Sequence, residues 1–133
     1  MSEDCLYLNI FTPLLNNSLS MINMSVMIFI HGGGFQFGSS TESIYEAEHL
    51  VNRTNVIIAL IQYRLGNYIN NSSNENRSFE KCIGVLGFLA TGNGENDLKG
   101  NYGILDQRLA IGWIKNNIDA FGGNPNSVCE NKD

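Results

Sequence analysis

Residues 27–38 read MIFIHGGGFQFG. His31 closes an apolar run, and Gly32, Gly33 and Gly34 come next, before Phe35 and Phe37. Glycine adopts backbone conformations that a Cβ forbids, so a strand ending this way turns sharply and presents its N–H groups to open space. Two such donors aimed at one point bind an anion. In acyl transfer that point is where a carbonyl oxygen becomes an oxyanion, and donors fixed there can be the largest catalytic contribution. Phe35 and Phe37 are placed to pack the loop down and keep water out. A tight turn without chemistry is the plain alternative. A phosphate cradle ranks lower, because neither G-x-x-x-x-G-K-[ST] nor a strand-following G-x-G-x-x-G occurs.

Few other residues offer chemistry. No serine stands in G-x-S-x-G, the strained turn that exposes a nucleophile in many ester hydrolases. The three cysteines, Cys5, Cys82 and Cys129, form no C-x-x-C pair, so no metal site and no cofactor site is expected. Of the two histidines, His49 falls in a charged stretch and reads as an ordinary surface or half-buried residue.

The elements that would position the glycines are readable from pattern. "LYLNIF" (6–11) reads as a strand ended by Pro13, and "VMIFIH" (26–31) and "NVIIALIQYRLG" (55–66) as strands buried on both faces. "SIYEAEHLVNR" (43–53) reads as a short helix capped by Thr41 or Ser43. "ILDQRLAIGWIKNNIDAF" (104–121) reads as an amphipathic helix closed by Gly122, Gly123 and Pro125, with Trp113 in the core. Buried strands separated by helices imply an α/β fold with parallel strands. Residues 67–84 change composition abruptly to Asn and Ser, and read as a flexible insertion with nothing to bury.

The chain has 133 residues, the size of one domain, with 43% hydrophobic and 16% charged residues. A net charge of −5 argues against non-specific binding to nucleic acid or anionic membrane. The apolar runs are too short to span a bilayer, and no signal peptide is visible at the start, which leaves localisation open.

Five segments, in order, resemble the type-B carboxylesterases and cholinesterases. "SEDCLYLNIFTP" is similar to a signature near the family's start, and "IFIHGGGFQFGS" to its oxyanion loop. "IIALIQYRLG", "VLGFLATG" and "GNYGILDQRLAIGWIKNNIDAFGGNPNSV" come after them in the family's order. The resemblance implies an incomplete α/β-hydrolase fold: residues 1–133 as a partial type-B domain, the amino-terminal part of a mixed, mostly parallel sheet with flanking helices. It also implies carboxylic ester hydrolysis by ancestry, with a small-molecule ester as substrate. Gly33 and Gly34 match the oxyanion donors. His31 holds a position where relatives vary, so it reads as a buttress of the loop and not as the catalytic base. Arg64 and Asp106 match a structural ion pair. Glu3 and Cys5 match residues whose family partners lie upstream of Met1, so Cys5 is expected to be a free thiol.

The resemblance fails at Cys129, just before the family's nucleophile elbow, so the serine, acid and histidine of the triad are expected to be missing and the chain inactive. The strand at 26–31 is then expected to have a bare outer edge and the product to be poorly stable. Two other readings remain open: a non-catalytic interaction protein like the cholinesterase-like adhesion proteins, its partner proteins unknown, or a mis-predicted fragment of an active esterase.

Overall fold

The computed structural model describes residues 5–14, 23–66 and 87–131, with side-chain surroundings through residue 129. The segment at 67–84, read from sequence as an insertion, lies outside the described residues, as does Glu3. Among the described residues four strands form one sheet: β1 (Leu8–Phe11), β2 (Met24–Ile30), β3 (Ile57–Ile61) and β4 (Gly123–Asn131), in the order β1-β3-β2-β4. β2 is parallel to both β3 and β4, and β1 is antiparallel to β3. The α-helices of the described residues, α1 (Glu48–Thr54) and α2 (Tyr102–Asn117), flank the sheet.

Side-chain alternation explains why the helices take opposite faces. Val26 and Ile28 of β2 point with Ile57, Ala59 and Ile61 of β3 toward Ile114 and Ile118, forming the larger core. Ile58 and Leu60 point the other way, against Ala47 and Val51 beside and within α1. All five residues of β3 are buried, as expected of an inner strand covered by a helix on each face. Phe29 leaves β2 on the α1 face and meets the Tyr45 ring at 4.7 Å.

Several expectations are corrected. The strand at 26–31 is not bare, because β4 pairs along it from Met24 opposite Gly123 to Phe29 opposite Asn131. A segment rich in Asn and Pro becomes a strand because β2 supplies the hydrogen-bonding partner; propensity alone does not demand it. The helix expected over 43–53 is split into a 3-10 turn, Ser43–Tyr45, and α1, with extended backbone at Glu46 between them. Neither part uses Thr41 or Ser43 as a side-chain cap. α2 begins two residues earlier than expected and passes into a 3-10 turn, Ile118–Phe121, that ends at Gly122 in the left-handed region.

The expected amphipathic stripe of α2 is two stripes. Asp106, Ala110, Ile114 and Ile118 recur every four residues and face the sheet, with Ile114 and Ile118 fully buried. Leu105, Leu109 and Trp113 recur at the same spacing one position earlier and are 47%, 70% and 44% exposed. Trp113 is therefore not a core residue. A rotation of about 100° per residue separates the stripes, and both are apolar.

Candidate functional site

The glycines lie where the carboxyl end of β2 leaves the sheet. β3 flanks β2 on one side and β4 on the other, all three running the same way, so their carboxyl ends lie along one end of the sheet. In open α/β sheets the crevice outside the carboxyl ends of the strands is where ligands bind.

Gly33 has φ +125° and Gly34 φ +59°. The Gly33 carbonyl turns into its own loop, accepting the amides of Gln36 at 3.0 Å and Phe37 at 3.3 Å. A Cβ on Gly33 would collide with the Phe37 carbonyl, so no other residue fits this turn unstrained. Among the described residues, neither the Gly33 nor the Gly34 amide donates a hydrogen bond. Gly34 is exposed and Gly33 half-buried.

Phe35 holds the turn from the side. It has φ +60°, unusual for an aromatic residue. Three contacts hold it there: its carbonyl accepts the Gly66 amide at 2.6 Å, and its ring meets Phe88 at 5.1 Å and the edge of Tyr63 at 6.1 Å. Phe37, which sequence pairs with it as a second cover, is 65% exposed. Phe35, 40% exposed itself, is the one of the two phenylalanines that packs on other rings among the described residues.

Beneath the loop lies His31, only 2% exposed. Its Nδ1 is 3.0 Å from the Gly32 carbonyl oxygen, and its ring stacks on Tyr63 at 4.5 Å and 17°. The Tyr63 hydroxyl donates to the His31 carbonyl at 2.7 Å. Burial pushes the His31 imidazole below its ordinary 6.5, against smaller opposing effects of the Gly32 contact and the Glu42 charge. Burial likewise pushes the Tyr63 hydroxyl up, with Tyr45 adding to it. This is a packed, neutral imidazole under the loop, and its geometry agrees with a buttress. His49 is exposed on α1 and joins no cluster among the described residues.

Arg64 grips Asp106 with two side-chain hydrogen bonds, Nε to Oδ2 and NH2 to Oδ1, both 2.7 Å, and its backbone amide adds a third at 3.1 Å. The Asp106 side chain is 5% exposed and Arg64 37%, so the carboxylate is the buried partner. The pair ties the segment just past β3 to the first turns of α2. The hydrogen bond it donates to Asp106 raises the Arg64 guanidinium further, and the Tyr102 ring centre lies 5.5 Å from its central carbon.

Cys5 is disulfide-bonded, which overturns the expected free thiol; Cys129 is a free, exposed thiol. The expectation considered only a partner upstream of Met1, and an odd count of cysteines does not forbid one bond. Among the described residues no cluster of three His, Cys, Asp or Glu could hold a metal, and no helix is long and apolar enough to cross a membrane. Sequence reasoning assigned no role to Tyr63 or to Gln62. The Gln62 Oε1 accepts the Ser40 amide at 2.8 Å. Tyr63 had one available signal: it precedes Arg64 in the "YRLG" segment at the end of β3.

The Carboxylesterase family model matches residues 1–74 and 82–129. An acetylcholinesterase of Danio rerio is 40% identical over 128 residues, covering 96% of this chain and 17% of that protein. The human bile salt-activated lipase is 40% identical over 132 residues, covering 95% and 15%. The human cocaine esterase is 42% identical over 128 residues, covering 96% and 19%. A solved structure titled PNB esterase superposes with a TM-score of 0.74 at 36% identity, over 97% of this chain and 23% of that one. The chain spans less than a quarter of the length of each of these relatives.

Proposed function

This chain belongs to the carboxylesterase family, and from that premise we propose that its residues carry the oxyanion-binding part of a carboxylic ester hydrolase, with Gly33 and Gly34 as two donors. The observation that carries the reading is the pair of amides at the end of β2, without acceptors among the described residues, in a turn that admits only glycine at position 33. A tetrahedral intermediate of ester cleavage holds its negative charge on one oxygen. Donors already fixed there stabilise that charge without reorganising, because the turn is locked by Gln36, Phe37 and Gly66.

The relatives are named for an acetylated choline ester, for bile-salt-activated lipolysis and for cocaine. These names have no more in common than an ester, so the substrate class extends no further than a small-molecule carboxylic ester.

Residues 1–133 alone do not complete the chemistry. Acyl transfer of this kind needs a nucleophile and a base. No serine stands in G-x-S-x-G. His31 is 2% exposed and its Nε2, the atom that would take a proton, is itself buried away from any reacting group, so it does not serve as base. We therefore expect this 133-residue chain to hydrolyse p-nitrophenyl acetate no faster than buffer.

Two measurements test the reading. Acetate, a carboxylate that mimics the product, is titrated at about pH 8, where the imidazole is neutral, and the Gly33 and Gly34 amide resonances are recorded. Saturable shifts at both, abolished by Gly34→Pro, support the oxyanion site. Amides indifferent to acetate, or ester hydrolysis that persists in Gly34→Pro, overturn it. An inactive chain whose amides ignore acetate would favour the non-catalytic interaction reading.

A further inference from the structure

His31 does more in this geometry than fill space. The Gly32 carbonyl can only accept, so the short contact with Nδ1 places the ring proton on Nδ1. Nε2 then carries a lone pair, and it is buried with no hydrogen-bond partner among the described residues. The far end of the loop closes on the same ring. A Cβ at Gly38, which has φ +111°, would lie 2.6 Å from His31 Nδ1 and 2.6 Å from the Gly32 carbonyl oxygen. Gly32 and Gly38, the two ends of the glycine turn, therefore both rest on one imidazole. Tyr63 fixes that imidazole by stacking and by its hydroxyl on the His31 carbonyl.

Resting on the oxyanion reading above, we propose that His31 is the positioning residue of the donor loop: a neutral imidazole, protonated on Nδ1, around which residues 32–38 close, and whose protonation on Nε2 opens the loop and disperses the Gly33 and Gly34 amides. A second ring proton would create a donor without an acceptor and a charge without solvent. Two titratable groups bear on the ring. Tyr63 stacks on it as a neutral phenol, and the Glu42 carboxylate favours the charged form but is outweighed by burial.

Linkage sets the sign. The open loop exposes an imidazole near its ordinary 6.5, whereas the closed loop holds it lower. The open state therefore binds more protons below that value. Closure is complete above 6.5 and weakens progressively as pH falls through and below it.

The test uses the full chain labelled with 15N and titrated from about pH 8 to about pH 5, the range in which histidine changes charge. At the upper end the ring nitrogen shifts should report the Nδ1–H tautomer. On acidification the Gly33 and Gly34 amides should move together with the His31 ring, with a midpoint below 6.5. Hydrogen exchange at the loop amides, corrected for its intrinsic pH dependence, should rise about tenfold or more as the loop opens locally. His31→Gln should flatten the pH response of these amides, and Tyr63→Phe should raise its midpoint by loosening the ring. An Nε2–H tautomer in the unmodified chain, or loop amides that stay fixed while His31 titrates, would overturn the proposal even if every variant failed to fold. These readouts are separate from acetate binding at about pH 8, so a loop that couples to the proton but ignores acetate would sink the oxyanion reading alone.

Discussion

At the scale of single residues, the site depends on two positions where sequence and geometry impose different constraints. Gly32 and Gly33 are neighbours of identical composition, yet only Gly33 has no room for a side chain. A Cβ on Gly32 meets nothing within 4 Å, whereas one on Gly33 meets the Phe37 carbonyl in a backbone with φ +125°. Gly32→Ala is therefore expected to change stability by less than about 0.5–1 kcal/mol, the ordinary cost or gain of a glycine replacement at a compatible site. Gly33→Ala should cost roughly 1–3 kcal/mol of local strain and abolish acetate-induced shifts at the neighbouring amides. Comparing the two variants by thermal melt and amide spectra checks this. The Arg64–Asp106 pair gives a second prediction. Arg64→Ala leaves a carboxylate that is 5% exposed without its side-chain partner, so that two of the three hydrogen bonds it accepts from Arg64 are lost. A fully buried pair broken this way costs about 3–5 kcal/mol; with Arg64 itself 37% exposed, solvent screening lowers the expectation to about 2 kcal/mol. Equilibrium urea unfolding reads it, and an unchanged midpoint would show that the bidentate contact contributes nothing in solution.

At the scale of elements, the strands with strong patterns were legible from sequence and the elements made by tertiary context were not. β2 and β3 declare themselves as apolar runs, but only β3 is buried on both faces as such a run suggests; β2 alternates, with Met27 39% exposed between buried Val26 and Ile28. β4 could not be read from "GNPNSVCEN", because its hydrogen bonds exist only when β2 lies alongside. The break at Glu46 was equally hidden. Ala47 and Val51 must reach Ile58 and Leu60, and that demand sets where α1 starts. The glycine turn at Gly33 and Gly34 and the Arg64–Asp106 pair were legible because their segments are distinctive; the Tyr63 stack was not, since nothing in the chain's order says which ring lies on which. In α2 every apolar residue carries the same sequence signal, but the sheet touches only one of the two stripes. Ile114→Ala should therefore cost about 2–5 kcal/mol through a cavity in the core, while Leu109→Ala, at a residue 70% exposed, should stay within about 0.5 kcal/mol. Thermal or urea unfolding compares them, and similar losses at both positions would mean that the outer stripe is covered in solution.

At the scale of the whole molecule, that outer stripe has consequences of its own. Leu109 and Trp113 stand with Leu6 and Tyr7, which are 46% and 50% exposed, around a cavity of about 430 Å³ between the start of β1 and α2, and Leu105 extends the stripe. Contiguous exposed apolar surface of this kind favours association in water. The charge of −5 opposes it by repulsion between copies, but that repulsion is long-ranged and screened by salt over about 8–10 Å at ordinary ionic strength. Burial of apolar surface is not screened. The expectation of a poorly behaved product thus acquires a different physical basis: the edge of β2 is covered by β4, and the apolar side of α2 takes its place as the adhesive surface. Light scattering on the purified chain should show self-association that grows with added salt. Leu105→Gln, Leu109→Gln and Trp113→Gln combined should suppress it while leaving the Arg64–Asp106 pair and the core stripe intact. Association that falls with salt, or that the triple variant does not relieve, would place the contact elsewhere, on the outer edge of β4 or through the Cys129 thiol. A reductant separates the last two, since a disulfide-linked species disappears on reduction and a strand-paired one does not.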